Sequence, residues 1–365
     1  MKFVFWQNIV SIHQSAFLKA LAVNHDVTLV AEQDLDRQRK NEKWSVPDMG
    51  RTKIIVAPAE NQISELIGDK SIYHVFSGID AFPMVFRALR LAVKNGCEIS
   101  VMAEPYDWTG FKGRLRMLKY RGLFVRYGKY INHLFTTGNH GIKCFQKSGF
   151  PLKKMQQWGY FTEIMSETPA VSPVVSLEMR SSMLRQKIDL IYVGRFDENK
   201  NILPVLLNFN KLRPYVNKFT VVGSGPLDNE IRQAASKFDE IVVAGRLNNV
   251  ETQVLMRNHD YLILPSLYDG WGAVVNEALT QGTRVLCSEA CGASILLDGQ
   301  MRGATFSQTN AMNVMQSWFS KGPVSAEQRE MIKDWAKRHI SGECAADYFV
   351  KVMSGEHVEA PWINS

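Results

Sequence analysis

Cysteine is scarce in this sequence and does not pair: five residues, an odd number, are spread over 365 positions. That rules out a disulfide framework. Cys287 and Cys291, four apart, lack the second pair that a zinc site needs, so both are read as free thiols at a strand end. A reducing, cytoplasmic compartment is the expectation. Long apolar runs are also missing. No stretch reaches the ~20 residues that span a bilayer, and the opening M-K-F-V-F-W-Q-N is too short an apolar run for a signal peptide. Internal repeats and low-complexity segments are missing, so no repeat architecture is expected. Acid is in short supply in the first half. Residues 1–165 carry 23 Lys and Arg against 14 Asp and Glu, whereas residues 166–365 carry 20 against 22. The formal net charge of +7 therefore belongs to the first half, which either meets something anionic or has a basic surface.

What is present is the composition of a folded protein, 45% hydrophobic and 22% charged, and too long for one core. Apolar strand runs alternate with helical patterns. In the first half the strands are read at Lys2–Phe5, Val27–Ala31, Lys53–Ala57, Ser71–Phe76, Glu98–Ala103 and Leu134–Thr137. One helix runs from Phe82 to Lys94, before Asn95-Gly96. Residues Thr162 to Lys187 lose periodicity and read as a linker. The alternation restarts at Asp189–Val193, Phe219–Val222, Glu240–Ala244, Tyr261–Leu264 and Arg284–Cys287. The fold expected is α/β, with two Rossmann-like parallel-sheet domains. Their limits are 1–165 and 188–335, with a linker at 166–187 and a helical tail at 336–365 that has the option of returning to the first domain. Ligands of such sheets bind beyond the C-terminal strand ends and in the cleft between domains.

Those strand ends carry the candidate chemistry. Gly194-Arg195-Phe196-Asp197-Glu198-Asn199-Lys200 places two cations before a helix. Arg195 and Lys200 there suit a diphosphate, or else they pair with Asp197 or Glu198. Gly223-Ser224-Gly225-Pro226 allows close backbone approach, with Pro226 suited to a first helical turn. Gly245-Arg246-Leu247 offers backbone groups to a nucleobase, or is an ordinary loop. Pro265 to Thr283, P-S-L-Y-D-G-W-G-A-V-V-N-E-A-L-T-Q-G-T, reads as strand end, glycine turn and helix. That is how a parallel sheet presents N–H groups and a positive helix end to an anion. Asp269 and Glu277 flank the turn. Glu277, a turn into the helix, would repel a phosphate and suits the hydroxyls of a ribose; the plainer alternative is a solvated Asp and a helix-surface Glu.

Taken together and in this order, these motifs resemble the nucleotide-sugar domain of the family-4 retaining glycosyltransferases, which have the GT-B architecture. The resemblance is dense from Leu190 to Cys287 and weaker to Phe306. It implies that Arg195 and Lys200 hold the donor diphosphate and stabilise the leaving group. It implies further that Glu277 binds the ribose and that the backbone of Gly270, Trp271 and Gly272 meets sugar and phosphates. Gly194, Gly223, Gly225, Arg246 and Leu247 complete the donor site. Asp269 stands where the family usually has Glu, shorter by one methylene. The first half matches more loosely. Asn24-His25-Asp26-Val27 is similar to the family's second-strand start, with His25 structural. The usual Gly-Gly of the first loop is replaced by Gln7-Asn8 and Ser11-Ile12-His13. Glu104 lies where many relatives carry an active-site His; it either binds a sugar hydroxyl, shields a developing cation or caps a turn with Pro105. His13 is a second candidate on the acceptor side, and His74 is read as core.

The resemblance implies a metal-independent enzyme without a cofactor, using a nucleotide diphosphate sugar and a glycan or lipid-linked acceptor. A nucleotide-sugar epimerase and a non-catalytic nucleotide-sugar binder are the rivals. Asp34-Leu35-Asp36 spells a D-x-D but lacks any metal-site context, so it is read as solvated surface. Phe111 to Tyr130 holds seven Lys and Arg and no acid, with aromatics and leucines interleaved. It reads as an anionic-membrane contact at the inner face of the cytoplasmic membrane or as a partly buried helix with snorkelling cations. Nucleic acid is a third reading, and no nucleic-acid module supports it. Gly113, Gly122 and Gly128 argue against one long helix there.

Overall fold

Strands with apolar residues on both faces demand cover on both faces, and the chain supplies it with helices. In the computed structural model, residues 1–34, 47–164 and 186–363 are described. The linker at 166–187 lies outside them except for Gln186 and Lys187, as do Leu35 and Asp36 of the D-x-D. The chain forms two units: residues 1–163 with 340–365, and residues 164–339.

The first unit holds a seven-stranded parallel sheet in the order β3-β2-β1-β4-β5-β6-β7. Its strands are β1 (Lys2–Ile9), β2 (Asp26–Gln33), β3 (Lys53–Val56), β4 (Ile72–Ser77), β5 (Glu98–Ala103), β6 (Ile131–Thr137) and β7 (Met155–Trp158). Between them run α1 (Ile12–Asn24), α2 (Glu60–Gly68), α3 (Pro83–Asn95), α4 (Gly110–Tyr127) and α5 (Gly138–Lys147). Phe5 lies opposite Leu29 on one side and Val75 on the other, so strand order reverses between β1 and β4. Trp6 stacks on Phe76 at 5.9 Å, and its Nε1 donates to His74 Nδ1 at 3.2 Å. Burial pushes the His74 pKa down to about 4, which keeps the ring a neutral acceptor.

The second unit repeats the order with six parallel strands, β10-β9-β8-β11-β12-β13. These are β8 (Ile188–Val193), β9 (Val216–Val222), β10 (Ile241–Gly245), β11 (Tyr261–Leu264), β12 (Arg284–Ser288) and β13 (Gly303–Phe306). Its helices are α6 (Leu203–Leu207), α7 (Asp228–Ala235), α8 (Asn249–Arg257), α9 (Ala273–Thr280), α10 (Ala311–Phe319) and α11 (Ala326–His339). The reversal here falls between β8 and β11, where Ile263 pairs with Tyr192.

The last helix, α12 (Gly342–Met353), belongs to the first unit. Phe349 sits in an aromatic cluster, 5.3 Å from Phe3, 5.3 Å from Phe17 and 5.2 Å from Phe135. Gly342 permits the close crossing on α1, since a Cβ there would lie 2.3 Å from the Ala16 carbonyl oxygen.

Three sequence expectations are corrected. The first strand does not give way to a loop after Phe5 but continues to Ile9. Pro226 precedes the N-cap Leu227 of α7 and is not in its first turn. The basic stretch is one helix of 18 residues despite its glycines. Gly113 is needed for packing, because a Cβ there would lie 2.1 Å from the Trp108 carbonyl carbon. Tertiary contact outweighs the cost of about 1 kcal/mol for a helical glycine.

Candidate functional site

The loops that follow β8, β9 and β10 are laced by backbone. Gly194 N donates to Val222 O at 3.1 Å, Phe196 N to Ser224 O at 3.0 Å, and Leu227 N to Phe196 O at 3.0 Å. Glycine is what allows this layering. A Cβ at Gly223, where φ is +148°, would sit 1.9 Å from the Gly194 oxygen, and one at Gly225 would sit 2.4 Å from the Phe196 oxygen. Gly223 N also donates to Gly245 O at 2.8 Å, which sets Arg246 and Leu247 alongside. Arg246 is exposed and Leu247 half-buried.

The two cations part company. Arg195 is exposed, with Nε 3.5 Å from Asp197 Oδ2. Asp197 Oδ1 also accepts from the Lys200 backbone N at 2.9 Å, so it folds the loop. The Lys200 ammonium reaches instead across to Asp269 Oδ2 at 2.5 Å, and both side chains are largely buried. The sequence alternative of pairing with Asp197 thus holds for Arg195 and not for Lys200. Two asparagines that sequence reasoning passed over join the loops. Asn199 Nδ2 donates to Tyr268 O at 2.8 Å, and Asn201, at φ 55°, donates to Pro265 O at 3.2 Å. The available signal was Asn in a turn, where its side chain tolerates a left-handed backbone.

Asp269 opens the glycine turn into α9. Gly272 is the N-cap at φ 89°, and a Cβ there would lie 2.6 Å from Cys291 Sγ. No side chain caps α9 and its first turn holds no acid, so the positive helix end, which begins just after Asp269 of the Lys200–Asp269 pair, is not offset by a charge of its own. Trp271 contributes its backbone only. Its side chain is buried with Nε1 donating to Asn276 Oδ1 at 2.8 Å, and its carbonyl accepts from Cys291 Sγ at 2.8 Å and Ala293 N at 2.7 Å. Cys287 and Cys291 are free and buried; burial first, then the Cys287 sulfur, pushes the Cys291 thiol up.

Glu277 is not on a helix surface. It is buried, and burial raises its pKa to about 7, with the Asn249 hydrogen bond opposing. Asn249 Nδ2 donates to Glu277 Oε1 at 2.8 Å. The amides continue inward: Gln253 to Asn249 at 2.7 Å, Gln281 to Gln253 at 3.1 Å, and Arg257 Nε to Gln281 at 2.9 Å. This ladder between α8 and α9 fixes the carboxylate's position. Asn249 and Gln253 were not legible beforehand, since an amide in a helix carries no signature.

His13 and Glu104 belong to the first unit. His13 lies in the first turn of α1 and stacks on Tyr160 at 5.2 Å. Glu104 is exposed just past β5. Among the described residues, no group of three or more His, Cys, Asp or Glu side chains is arranged to hold a metal ion. Nor is any helix among them long and apolar enough to cross a membrane.

Residues 187–317 match the family model described as Glycosyl transferases group 1. This segment, which lies in the second unit, resembles a group 1 glycosyltransferase domain. Over 132 residues the chain is 26% identical to an uncharacterised 41.2 kDa protein in the cps region of Klebsiella pneumoniae, covering 36% of each chain. The match therefore spans about a third of that relative's length. Anabaena HepE, solved with UDP, is similar over 97% of this chain and 100% of its own, at TM-score 0.68 and 11% identity. WaaG, a glycosyltransferase involved in lipopolysaccharide biosynthesis, is similar over 97% and 100%, at TM-score 0.57 and 15% identity. At these identities the structural likeness is one of fold: two Rossmann-like units as in the GT-B glycosyltransferases, the second carrying the segment that matches the family model.

Proposed function

We propose that the protein is a retaining glycosyltransferase that moves a sugar from a nucleotide diphosphate sugar to a hydroxyl of a glycan or lipid-linked acceptor. One observation carries the reading. A largely buried Lys200–Asp269 pair, an exposed arginine and an uncapped, glycine-fronted helix start meet at the strand-order reversal of the segment that matches the group 1 model. That arrangement suits a diphosphate. Arg195 is free to swing from Asp197 and chelate two phosphate oxygens. Lys200 adds a charge that Asp269 holds in place. Glu277 accepts hydrogen bonds from the ribose. The bond from the anomeric carbon to the diphosphate oxygen breaks with its electron pair on the phosphate. The acceptor oxygen takes its place on the same face, and the departing diphosphate takes up the hydroxyl proton. Fixed cations and helix amides stabilise that leaving group without a metal. His13 and Glu104 act on the acceptor.

The relative from a cps region and the neighbour involved in lipopolysaccharide biosynthesis support a place in cell-surface polysaccharide assembly. HepE's complexes with UDP and UDP-glucose make uridine diphosphate sugars the first donors to test. Arg195→Ala is expected to lower kcat by about 10²–10³-fold, with the melting temperature unchanged; near-normal turnover would remove the role given to Arg195. Donor epimerised without any acceptor would point to an epimerase, and donor bound without turnover over a broad acceptor panel to a binding subunit. The anomeric configuration of the product, read by NMR, tests retention. Full turnover after chelation tests independence from metal.

A further inference from the structure

Helix α4 is apolar on two opposite faces. Gly113, Phe124 and Tyr127 turn inward, and Phe124 and Tyr127 join the core of the first unit. On the other side Phe111, Leu115, Leu118 and Val125 stand at i, i+4, i+7 and i+14, a single stripe along the helix. They are 76%, 52%, 58% and 82% exposed. One apolar face is enough to hold a helix on its domain, so the second needs another explanation. Cations line both edges of the stripe. Arg114 and Arg121 flank one side; Lys112, Lys119 and Arg126 flank the other; all five are exposed. No acid occurs between 111 and 130. The acid beside the stripe is Asp80, 2.9 Å from the Lys119 ammonium, while Asp107 contributes its carbonyl to Arg116 at 3.4 Å.

We propose that the outward face of α4 docks this protein on an anionic phospholipid surface. The narrow stripe enters the acyl boundary and the two rows of Lys and Arg meet the headgroups. A protein partner fits less well. Interface cores are depleted in lysine, and this stripe is one side chain wide with charge along its whole length. Gly122 lies on the stripe between Leu118 and Val125, with open space around it. The proposal goes beyond the transfer reading and needs no donor or acceptor to be examined.

The test is flotation of the full chain with vesicles of phosphatidylcholine alone or with phosphatidylglycerol added. Binding is expected on the anionic vesicles and lost in high salt. Arg114→Ala with Arg121→Ala should weaken it about fivefold per charge, and Leu115→Ser with Leu118→Ser about tenfold or more. Because a loss could come from misfolding, Gly122→Leu supplies the opposite arm: it adds a leucine to the stripe and should tighten binding severalfold. Equal binding to both vesicle types, no gain with Gly122→Leu, or a concentration-dependent dimer abolished by Leu118→Glu would each overturn the proposal.

Discussion

Glu277 titrates near neutrality because it is buried, not because it meets another acid. In the proposed role a ribose hydroxyl would donate to the ionised carboxylate, so nucleotide binding is expected to strengthen as pH rises through 7. It should release a proton over that range. Calorimetry of UDP in buffers of different ionisation enthalpy measures this, and Glu277→Gln should remove both the pH dependence and the proton release. Both Glu277 and Asp269 were legible in the sequence as a spaced acid pair around a glycine turn, and so was the pair Arg195 and Lys200. The salt bridge between Lys200 and Asp269 was not. Its partners are 69 residues apart, and only the adjacency of β8 and β11 brings them together. Asn199, Asn201 and Asn249 escaped for a different reason: their work is done by amide geometry, which leaves no pattern in a chain.

Turns and helices show why one residue type has opposite meanings. Gly272 sits at φ 89° with Cys291 Sγ where a Cβ would go, whereas Gly122 lies in helix α4 with nothing within 4 Å. Gly272→Ala should cost about 2 kcal/mol or more and weaken nucleotide binding. Gly122→Ala should stabilise by up to about 1 kcal/mol. Urea unfolding of the two variants reads the difference directly. Reading Gly113, Gly122 and Gly128 as helix breakers applied an average cost. It missed that Gly113 is demanded by Trp108, that Gly122 faces outward, and that Gly128 closes the helix. Strands β7 and β13 were missed because neither is an apolar run: M-Q-Q-W carries two amides and G-A-T-F a glycine and a threonine, whereas the equally short K-I-I-V and Y-L-I-L were read.

Across the whole molecule the two units should answer acid differently. In the first, burial holds His74 at about 4 and lowers His133 as well, so these side chains favour the native state above their unfolded value near 6.5. That contribution is lost as pH falls. In the second, the raised pKa of Glu277 means the native state keeps a proton that the unfolded chain gives up above about 4.5. Its contribution is present at low pH and lost as pH rises toward 7. Calorimetric scans from pH 6.5 to 5 should therefore show one transition falling while the Glu277-dependent one gains about 1–2 kcal/mol, and Glu277→Gln should flatten the latter. The paired α/β units were legible from strand and helix runs alone, since alternation of that kind leaves few topologies.

Phe349 belongs to the aromatic heart of β1, α1 and β6, yet every residue of the second unit is translated before it. On a ribosome adding about 5–20 residues per second, that leaves the nascent first unit waiting roughly 10–35 s for its keystone. During that interval Phe3, Phe17 and Phe135 lack the ring that covers them, so a newborn chain of this protein is a natural client for a chaperone.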